Sequence, residues 1–249
     1  MEYAYDPKVG KNLTVDEYKT QHGPKLDARG NVRWRPKLRC LVCNVPLHTV
    51  GEDNPTVVPT WGHDPSPGTF CPIKSGGSER YEILPPTEAD PTKGAQLRAS
   101  FFANWEAHWG YIGSVVLYPD IFTFIGFIRS ADKKGLWTQR HLEEWHLPYV
   151  CLATCDFPPP KGTIAARRPH WLRFRFNDRY RTLRDLWIEA DQEFSFLQLT
   201  YRKPLRKKEP GPAEFIAADH VRVDRHWLDA TYPPPNTFAI AAMESAFRA

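Results

Sequence analysis

The sequence predicts an α+β fold, in which a small cysteine-containing module near the N-terminus precedes a mixed α/β domain built around one main sheet. Three patterns support this prediction. Cysteines and a histidine stand at ligand spacing between residues 40 and 71, apolar residues recur at helical spacing over 95–112, and apolar and polar residues alternate over 171–176. The chain has 249 residues, of which 41% are hydrophobic, so it can form one large core or two small ones.

Composition divides the chain into five predicted segments. The first 31 residues are polar and marked by Gly and Pro, which predicts a loosely packed arm. The predicted segments are a polar arm at 1–31, the cysteine-containing module at 32–75, a linker at 76–94, an α+β domain with a basic face at 95–203, and a C-terminal loop with short helices at 204–249.

The predicted α+β domain opens with a helical pattern over 95–112. The residues that share one face of this helix are Leu97, Phe101, Trp105, either His108 or Trp109, and Ile112. The runs that follow predict strands at Ser114–Tyr118 and Ile121–Ile128, a helix at Leu136–Trp145 and a strand at Tyr149–Thr154.

Two further strands and two helices are predicted towards the C-terminal end. Residues 171–176 and 194–201 alternate as half-buried strands. Asp178 is placed to cap a helix that reaches Glu189. A proline-rich loop then leads to a short terminal helix at 237–247.

Four residues of the N-terminal module predict a structural zinc site. Cys40 and Cys43 form a C-x-x-C turn, which aims two sulfurs at one point, and His63 and Cys71 supply two more ligands. Such a Cys3His set leaves no open position on a tetrahedral Zn²⁺, as in structural rather than catalytic sites. The alternatives are a redox-active C-x-x-C pair and reduced cysteines whose spacing arises by chance. A redox pair is expected at a strand-to-helix junction, whereas this one follows the extended run 32–35 and precedes Pro46.

The same residues resemble a known zinc ribbon. The C-x-x-C pair, a nearby Pro-Leu, an aromatic residue two before a His-Asp and a final Cys-Pro are similar to the zinc-ribbon segment of CoiA-like competence proteins and of small zinc-ribbon proteins of bacterial mobile elements. The resemblance covers residues 38–75 and implies a zinc-ribbon-like module. In CoiA-like proteins this segment precedes a restriction-endonuclease-like domain, so the resemblance implies DNA-related work.

Cysteine usage and hydropathy predict a cytoplasmic protein with no membrane partner. Three of the five cysteines belong to the predicted zinc site, as expected where thiols stay reduced. Cys151 and Cys155 are expected on one face of a strand, as small buried hydrophobic residues. No apolar run approaches the length of a membrane span, and residues 1–6 lack the basic and hydrophobic pattern of a secretory signal.

The distribution of positive charge predicts a nucleic-acid partner. Residues 161–208 contain thirteen Lys or Arg against five Asp or Glu, and the cations at 33, 35, 37 and 39 would share one face of an extended segment. Arginine binds phosphate in bidentate geometry and stacks on bases. The candidate nucleic-acid-binding residues are Arg33, Arg35, Arg39, Arg167, Arg168, Arg173, Arg175, Arg179, Arg181 and Arg184. A solvated surface and a docking site for an acidic protein remain alternatives.

The strongest enzymatic hypothesis is a metal-dependent nuclease of the PD-(D/E)xK kind. Pro119-Asp120 would open the predicted strand pair where such a fold places its first carboxylate. The next strand, 124–130, carries no carboxylate and has Arg129 as its charged group, although CoiA-like nucleases place an acid there. His141 and His146 do not have the spacing of a zinc protease, and the chain has no GxSxG or P-loop motif.

These observations together predict a non-catalytic nucleic-acid-binding accessory subunit with a structural zinc site. The setting that fits is a complex of a bacterial mobile element, a defence system or an RNA-guided interference system, with other protein subunits as further partners. An active or degenerate nuclease and a protein-interaction module that docks an acidic partner are the alternatives. The sequence does not distinguish RNA from DNA.

Overall fold

The structure, a computed structural model, describes residues 1–63, 71, 73–74, 81–176, 183, 196–205 and 209–248. The described part of the chain contains six α-helices and several small sheets, which confirms the α+β class. The chain forms two compact units. Unit 1 comprises Met1–Glu79 and Leu199–Ala218, and unit 2 comprises Arg80–Gln198 and Asp219–Ala249. This grouping differs from the five predicted segments.

Unit 1 begins with a hairpin of strands β1 (Ala4–Asp6) and β2 (Lys11–Leu13), followed by helix α1 (Val15–His22). Thr14 and Glu17 form a capping box, in which each side chain accepts a hydrogen bond from the backbone N–H of the other residue. Two apolar residues of α1 are buried. The first 31 residues are therefore folded, which corrects the prediction of a loosely packed arm.

A second hairpin of unit 1 contributes a buried tryptophan to the core of that unit. Strands β3 (Leu47–Val50) and β4 (Thr60–His63) pair antiparallel, with Leu47 opposite His63. Trp61 of β4 is 3% exposed, its ring centroid lies 5.0 Å from that of Tyr18, and its Nε1–H donates to the Leu13 carbonyl at 3.0 Å. These contacts hold β4 against α1 and β2.

The third sheet has three strands, β5 (Trp171–Phe176), β6 (Phe196–Tyr201) and β7 (Phe215–Val221), with β6 in the middle. The boundary between the two units falls within β6 and β7. The predicted strand at 171–176 is confirmed, although it is buried along nearly its whole length rather than half-buried. The predicted strand at 194–201 is confirmed over 196–201, and its first two residues lie outside the described part of the chain. Strand β7 was not predicted from the sequence.

The described residues of unit 2 form five helices: α2 (Pro91–Ala103), α3 (Trp105–Val116), α4 (Ile121–Lys134), α5 (Leu147–Thr154) and α6 (Thr237–Phe247). The helical pattern over 95–112 is confirmed as helix, although the chain breaks it into two helices at residue 104. The terminal helix is confirmed with the predicted bounds.

Two segments predicted as the strands Ser114–Tyr118 and Ile121–Ile128 are helical instead. Helix α3 continues to Val116, and α4 starts after Asp120, whose carboxylate accepts the backbone N–H of Phe122 at 3.1 Å. The buried residues of α4 follow helical spacing. The β-branched and aromatic composition suggested strands, but the cap and the packing of one apolar face decide the conformation.

The predicted strand Tyr149–Thr154 is also wrong, because these residues belong to α5. Every residue from Leu147 to Ala153 is buried, so the run has no polar face to reveal a helical period. Cys151 is buried, as predicted, but on a helix, and Cys155 is partly exposed. The predicted helix Leu136–Trp145 is replaced by two short 3-10 turns, at Leu136–Thr138 and Glu144–His146.

The predicted helix at 178–189 lies outside the described residues except for Leu183, which is buried.

The core of unit 2 is rich in aromatic rings, with Phe101 packed on Trp137 and on His108. Among the described residues, no helix is both long enough and apolar enough to cross a membrane.

Candidate metal centre

The turn that carries Cys40 and Cys43 is held by its own backbone. The backbone N–H of Asn44 donates to the Cys40 carbonyl at 3.0 Å, and the Cys40 N–H donates to the Val45 carbonyl at 2.9 Å. Asn44 has φ 56, the left-handed conformation that Asn tolerates better than most residues. The Val42 N–H points at the Cys40 sulfur at 3.4 Å. The turn therefore presents both sulfurs in a fixed direction.

His63 reaches the same point from the end of β4. Close packing explains why glycine occupies position 62, between Trp61 and His63. A Cβ at this position would lie 2.7 Å from Cγ2 of Val50 on the paired strand. A larger residue would force the Val50 side chain or the strand pair to shift next to His63. Glycine avoids this clash at the position before the ligand.

The fourth residue, Cys71, completes a compact cluster. Its sulfur lies 3.7 Å from that of Cys40, and the Cys43 sulfur lies 3.4 Å from Nε2 of His63. The four ligand atoms all lie within 4.8 Å of one another. The three cysteines are free thiols, with Cys40 and Cys71 buried. The structure thus brings together all four predicted ligands as a set that could hold a metal ion, hereafter the metal centre.

The protonation of the metal centre reflects its crowding. The pKa of Cys43 lies far below its usual range, because the side chains of Cys40 and Cys71 hydrogen-bond to it. The pKa of Cys71 is raised, because its thiol hydrogen-bonds to the side chains of Cys40 and Cys43 and is buried. Burial lowers the pKa of His63, but the neighbouring sulfurs of Cys40 and Cys43 outweigh burial and raise it to about 9. Metal binding would displace these shared protons, because cysteine binds a metal ion as the thiolate and histidine as the neutral imidazole. In the described residues, no other group of three or more metal-ligating side chains comes this close together.

Several arginines that were predicted to bind nucleic acid are used inside the protein. In unit 1, Arg35 forms two hydrogen bonds with Glu52, at 2.6 and 2.7 Å, and both side chains are buried. Arg39 is partly buried, and its guanidinium donates to the Asn44 carbonyl at 3.0 Å. Arg35 therefore stabilises the unit, and Arg39 supports the turn of the metal centre.

Three arginines of unit 2 are likewise buried. Arg173 pairs with Asp156, with Nε and Oδ1 2.5 Å apart, and the Arg175 guanidinium lies 4.9 Å from the centre of the Tyr81 ring. Arg168 donates to four backbone carbonyls at 2.7 to 3.0 Å. Because these three side chains are at most 7% exposed, they are removed from the predicted phosphate-binding surface.

The other predicted arginines divide into exposed and undescribed residues. Arg33 is exposed in unit 1, and Arg167 is exposed in unit 2, where it donates to the Tyr118 hydroxyl at 2.9 Å. Arg179, Arg181 and Arg184 lie outside the described residues.

A basic feature of unit 1 was not predicted. Residues 25–33 form a tight hairpin, here named the basic hairpin, in which the Arg33 N–H donates to the Lys25 carbonyl at 2.8 Å. The Asp27 carboxylate accepts the backbone N–H groups of Arg29 and Asn31 at 2.8 and 2.9 Å and thereby fixes the tip. The Asp, Gly and Asn residues between Leu26 and Val32 are the sequence signal that could have revealed this turn.

The nuclease hypothesis loses the strand on which it depended. Asp120 is the N-cap of α4, and residues 124–130 are helical. No protein-family model, curated protein or solved structure matches this chain significantly. The zinc-ribbon resemblance of residues 38–75 stays a prediction.

Proposed function

We propose that this protein is a non-catalytic nucleic-acid-binding accessory subunit whose metal centre holds a structural Zn²⁺ ion. Two sulfurs bound to one tetrahedral zinc lie about 3.8 Å apart, and a sulfur and an imidazole nitrogen lie about 3.5 Å apart. The corresponding distances of 3.7 Å for Cys40 and Cys71 and 3.4 Å for Cys43 and His63 support this assignment. A disulfide needs about 2.0 Å between sulfurs. Four protein ligands leave no position for a substrate, so the ion stabilises unit 1.

The observation that carries the nucleic-acid proposal is the exposed charge of the basic hairpin and the residues after it. Residues 25–39 contain six Lys or Arg and a single acidic residue, Asp27, whose carboxylate is engaged in the turn. Four of the cations are exposed and form no ion pair with a described residue: Lys25, Arg29, Arg33 and Lys37. These four cations, three on the basic hairpin and Lys37 after it, can attract a polyanion without first having to release an acidic partner.

The experiment that tests this proposal is a salt titration of nucleic-acid binding by the zinc-loaded full chain. Fluorescence anisotropy with short labelled DNA and RNA should give an affinity that falls with salt, with a log–log slope of about 3 if the four cations each meet a phosphate of a single strand. The double variant Arg29→Glu/Arg33→Glu should weaken binding and lower that slope by about 1.4.

A matched control separates local contacts from overall charge. Lys133 and Arg222 are exposed in unit 2, so Lys133→Glu/Arg222→Glu makes the same change in net charge away from the hairpin. This control should bind nearly as the unmodified chain does. Equal loss in both variants, or binding that ignores salt, would contradict the proposal.

A second candidate function is docking of a protein partner, as expected of a subunit in a larger complex. Unit 2 exposes Leu117, Phe122 and Phe238 by 54%, 59% and 62%, and the two phenylalanine rings lie 5.9 Å apart. An apolar surface of this kind favours association with another protein. If docking is the main role, nucleic-acid binding should be weak and insensitive to the hairpin substitutions.

The proposed setting is the reducing cytoplasm, because the ligand cysteines must stay as thiolates to hold zinc. A complex of a bacterial mobile element, a defence system or an RNA-guided system is the context that the resemblance of residues 38–75 implies. Subunits of such complexes hold nucleic acid while another subunit performs the chemistry.

A further inference from the structure

Trp34 is the most exposed Trp, Tyr or Phe in the described part of the chain. It follows the basic hairpin directly, and its side chain is 80% exposed, whereas Trp61 of the same unit is 3% exposed. A large apolar ring that could stabilise the fold by burial is instead left in solvent. An exposed indole of this kind is suited to a ligand that presents a flat aromatic face.

The backbone on both sides of Trp34 is fixed. The Arg33 N–H donates to the Lys25 carbonyl at 2.8 Å, and the Arg35 side chain is anchored on Glu52 and on the Gly23 carbonyl. The Pro36 carbonyl, two residues after Trp34, accepts the Tyr18 hydroxyl at 2.7 Å. The indole is therefore presented from an ordered segment, and a ligand that stacks on it loses little further chain entropy.

One cation lies over the ring, and two exposed cations lie within three residues of it in the sequence. The Lys8 ammonium lies 5.6 Å from the ring centroid, and the neighbouring Arg33 and Lys37 are exposed. This charge favours an anionic ligand and disfavours a cationic one, such as a methylated lysine. The ligand that combines flat aromatic faces with regular negative charge is a nucleic acid.

We propose that Trp34 is a base-stacking platform that makes the basic hairpin selective for single-stranded nucleic acid. The faces of bases in a duplex are covered by their neighbours, whereas an unpaired base can stack on an indole while Lys8, Arg33 and Lys37 meet the adjacent phosphates. This inference rests on the proposed nucleic-acid function and specifies its substrate class. It includes DNA and RNA, because both present the same aromatic faces.

The test compares the zinc-loaded full chain with Trp34→Ala and Trp34→Phe. The probes are labelled oligothymidine and oligouridine of about 12 nucleotides, within the usual range of site sizes, and a DNA hairpin with a stem of similar length. Trp34→Ala should weaken single-strand binding by about five- to a hundredfold and duplex binding by less than about twofold. Trp34→Phe should retain most of the affinity, because a phenyl ring still stacks.

Several outcomes distinguish this inference from the broader proposal. If Arg29→Glu/Arg33→Glu weakens binding but Trp34→Ala does not, the nucleic-acid function stands and the stacking platform is wrong. Equal losses for single strand and duplex in Trp34→Ala also overturn it. If the unmodified chain binds no probe, both proposals fail. Self-association that Trp34→Ala abolishes, without any nucleic-acid binding, would assign the indole to a protein contact instead. Because Trp34 is exposed, its substitution should leave the melting temperature unchanged, which confirms that the variants are folded.

Discussion

Arg35 and Glu52 form an ion pair with two hydrogen bonds in the interior of unit 1, and their side chains are 8% and 2% exposed. The guanidinium also lies 4.8 Å from the centre of the Tyr18 ring. A charge that is buried to this extent depends on its partner, because neither group can be hydrated when the other is removed.

We therefore expect Glu52→Gln to destabilise unit 1 by on the order of 3 kcal/mol, because the substitution keeps the shape of the side chain and leaves Arg35 buried with a neutral partner. Urea unfolding of the zinc-saturated protein measures this change. The exposed pair of Arg140 and Glu88, with Nη1 and Oε2 2.8 Å apart, provides the control. Glu88→Gln should change the stability by less than about 1 kcal/mol, and similar effects at both sites would contradict the argument.

The metal centre should bind one ion per chain. Cobalt substituted for zinc should give the strong visible absorption of a tetrahedral thiolate site, and Cys43→Ser and Cys71→Ser should each abolish it. Cys155→Ser is the control, since Cys155 is partly exposed in unit 2 and its substitution should leave the spectrum unchanged.

Removal of the metal should make unit 1 sensitive to protease before unit 2, because structural zinc contributes on the order of 10 kcal/mol in small modules. An unchanged digestion pattern after chelation would refute a structural role.

Stability should rise with pH from about 4 to about 6.5, in part because of His146. Burial lowers the pKa of His146 to about 4, with Arg225 and Lys93 acting in the same direction and the Glu143 carboxylate against them. An unfolded histidine has a pKa near 6.5, so between these values the unfolded chain binds the proton more readily and stability is lost as the pH falls.

The variant that checks this pH dependence is His146→Gln. The contribution of His146 across the window is on the order of 3 kcal/mol, and His146→Gln should flatten the measured slope of unfolding free energy against pH by that amount. His108 lies in the same core, and burial lowers its pKa in the same direction, so part of the slope should remain.

Asp120 should matter for the stability of α4 and not for catalysis. Asp120→Ala removes the cap on the Phe122 N–H and should cost about 1 kcal/mol of stability, whereas Asp120→Asn keeps a capping oxygen and should cost much less. The unmodified protein with Mg²⁺ or Mn²⁺ should show no DNA or RNA cleavage that is lost in either variant. Metal-dependent cleavage that disappears in both variants would restore the nuclease hypothesis.

The four residues of the metal centre were predicted together, because their signal is local and chemical. Cysteine and histidine at a set spacing specify both the residues and the point at which they meet. The strands β5 and β6 were also predicted, since apolar and polar residues alternate along them. The expected exposed face of β5 is absent, because its alternating arginines are buried. Where the sequence failed, in α4 and α5, β-branched and aromatic residues favoured strands while tertiary packing and a cap selected helices.

The role of individual arginines could not be predicted. Arg33 and Arg35 are two residues apart, yet Arg33 is exposed and Arg35 is buried. The difference arises from Glu52, which lies 17 residues away in the sequence and carries no pattern that links it to Arg35. Counting charges locates a basic region, but only the fold decides which cations face solvent.

The ligand spacing of the metal centre also bears on the order in which unit 1 folds. Cys40 and Cys43 belong to one turn, whereas Cys71 lies 31 residues from Cys40. Closing a loop of that length costs about 3 kcal/mol of chain entropy, which the short strands β3 and β4 can offset only after the ends have met. An ion that binds first to Cys40 and Cys43 closes no long loop. It can then bind His63 or Cys71 whenever either residue approaches, and each such contact holds the loop closed. The supply of metal during synthesis would then limit how quickly unit 1 folds.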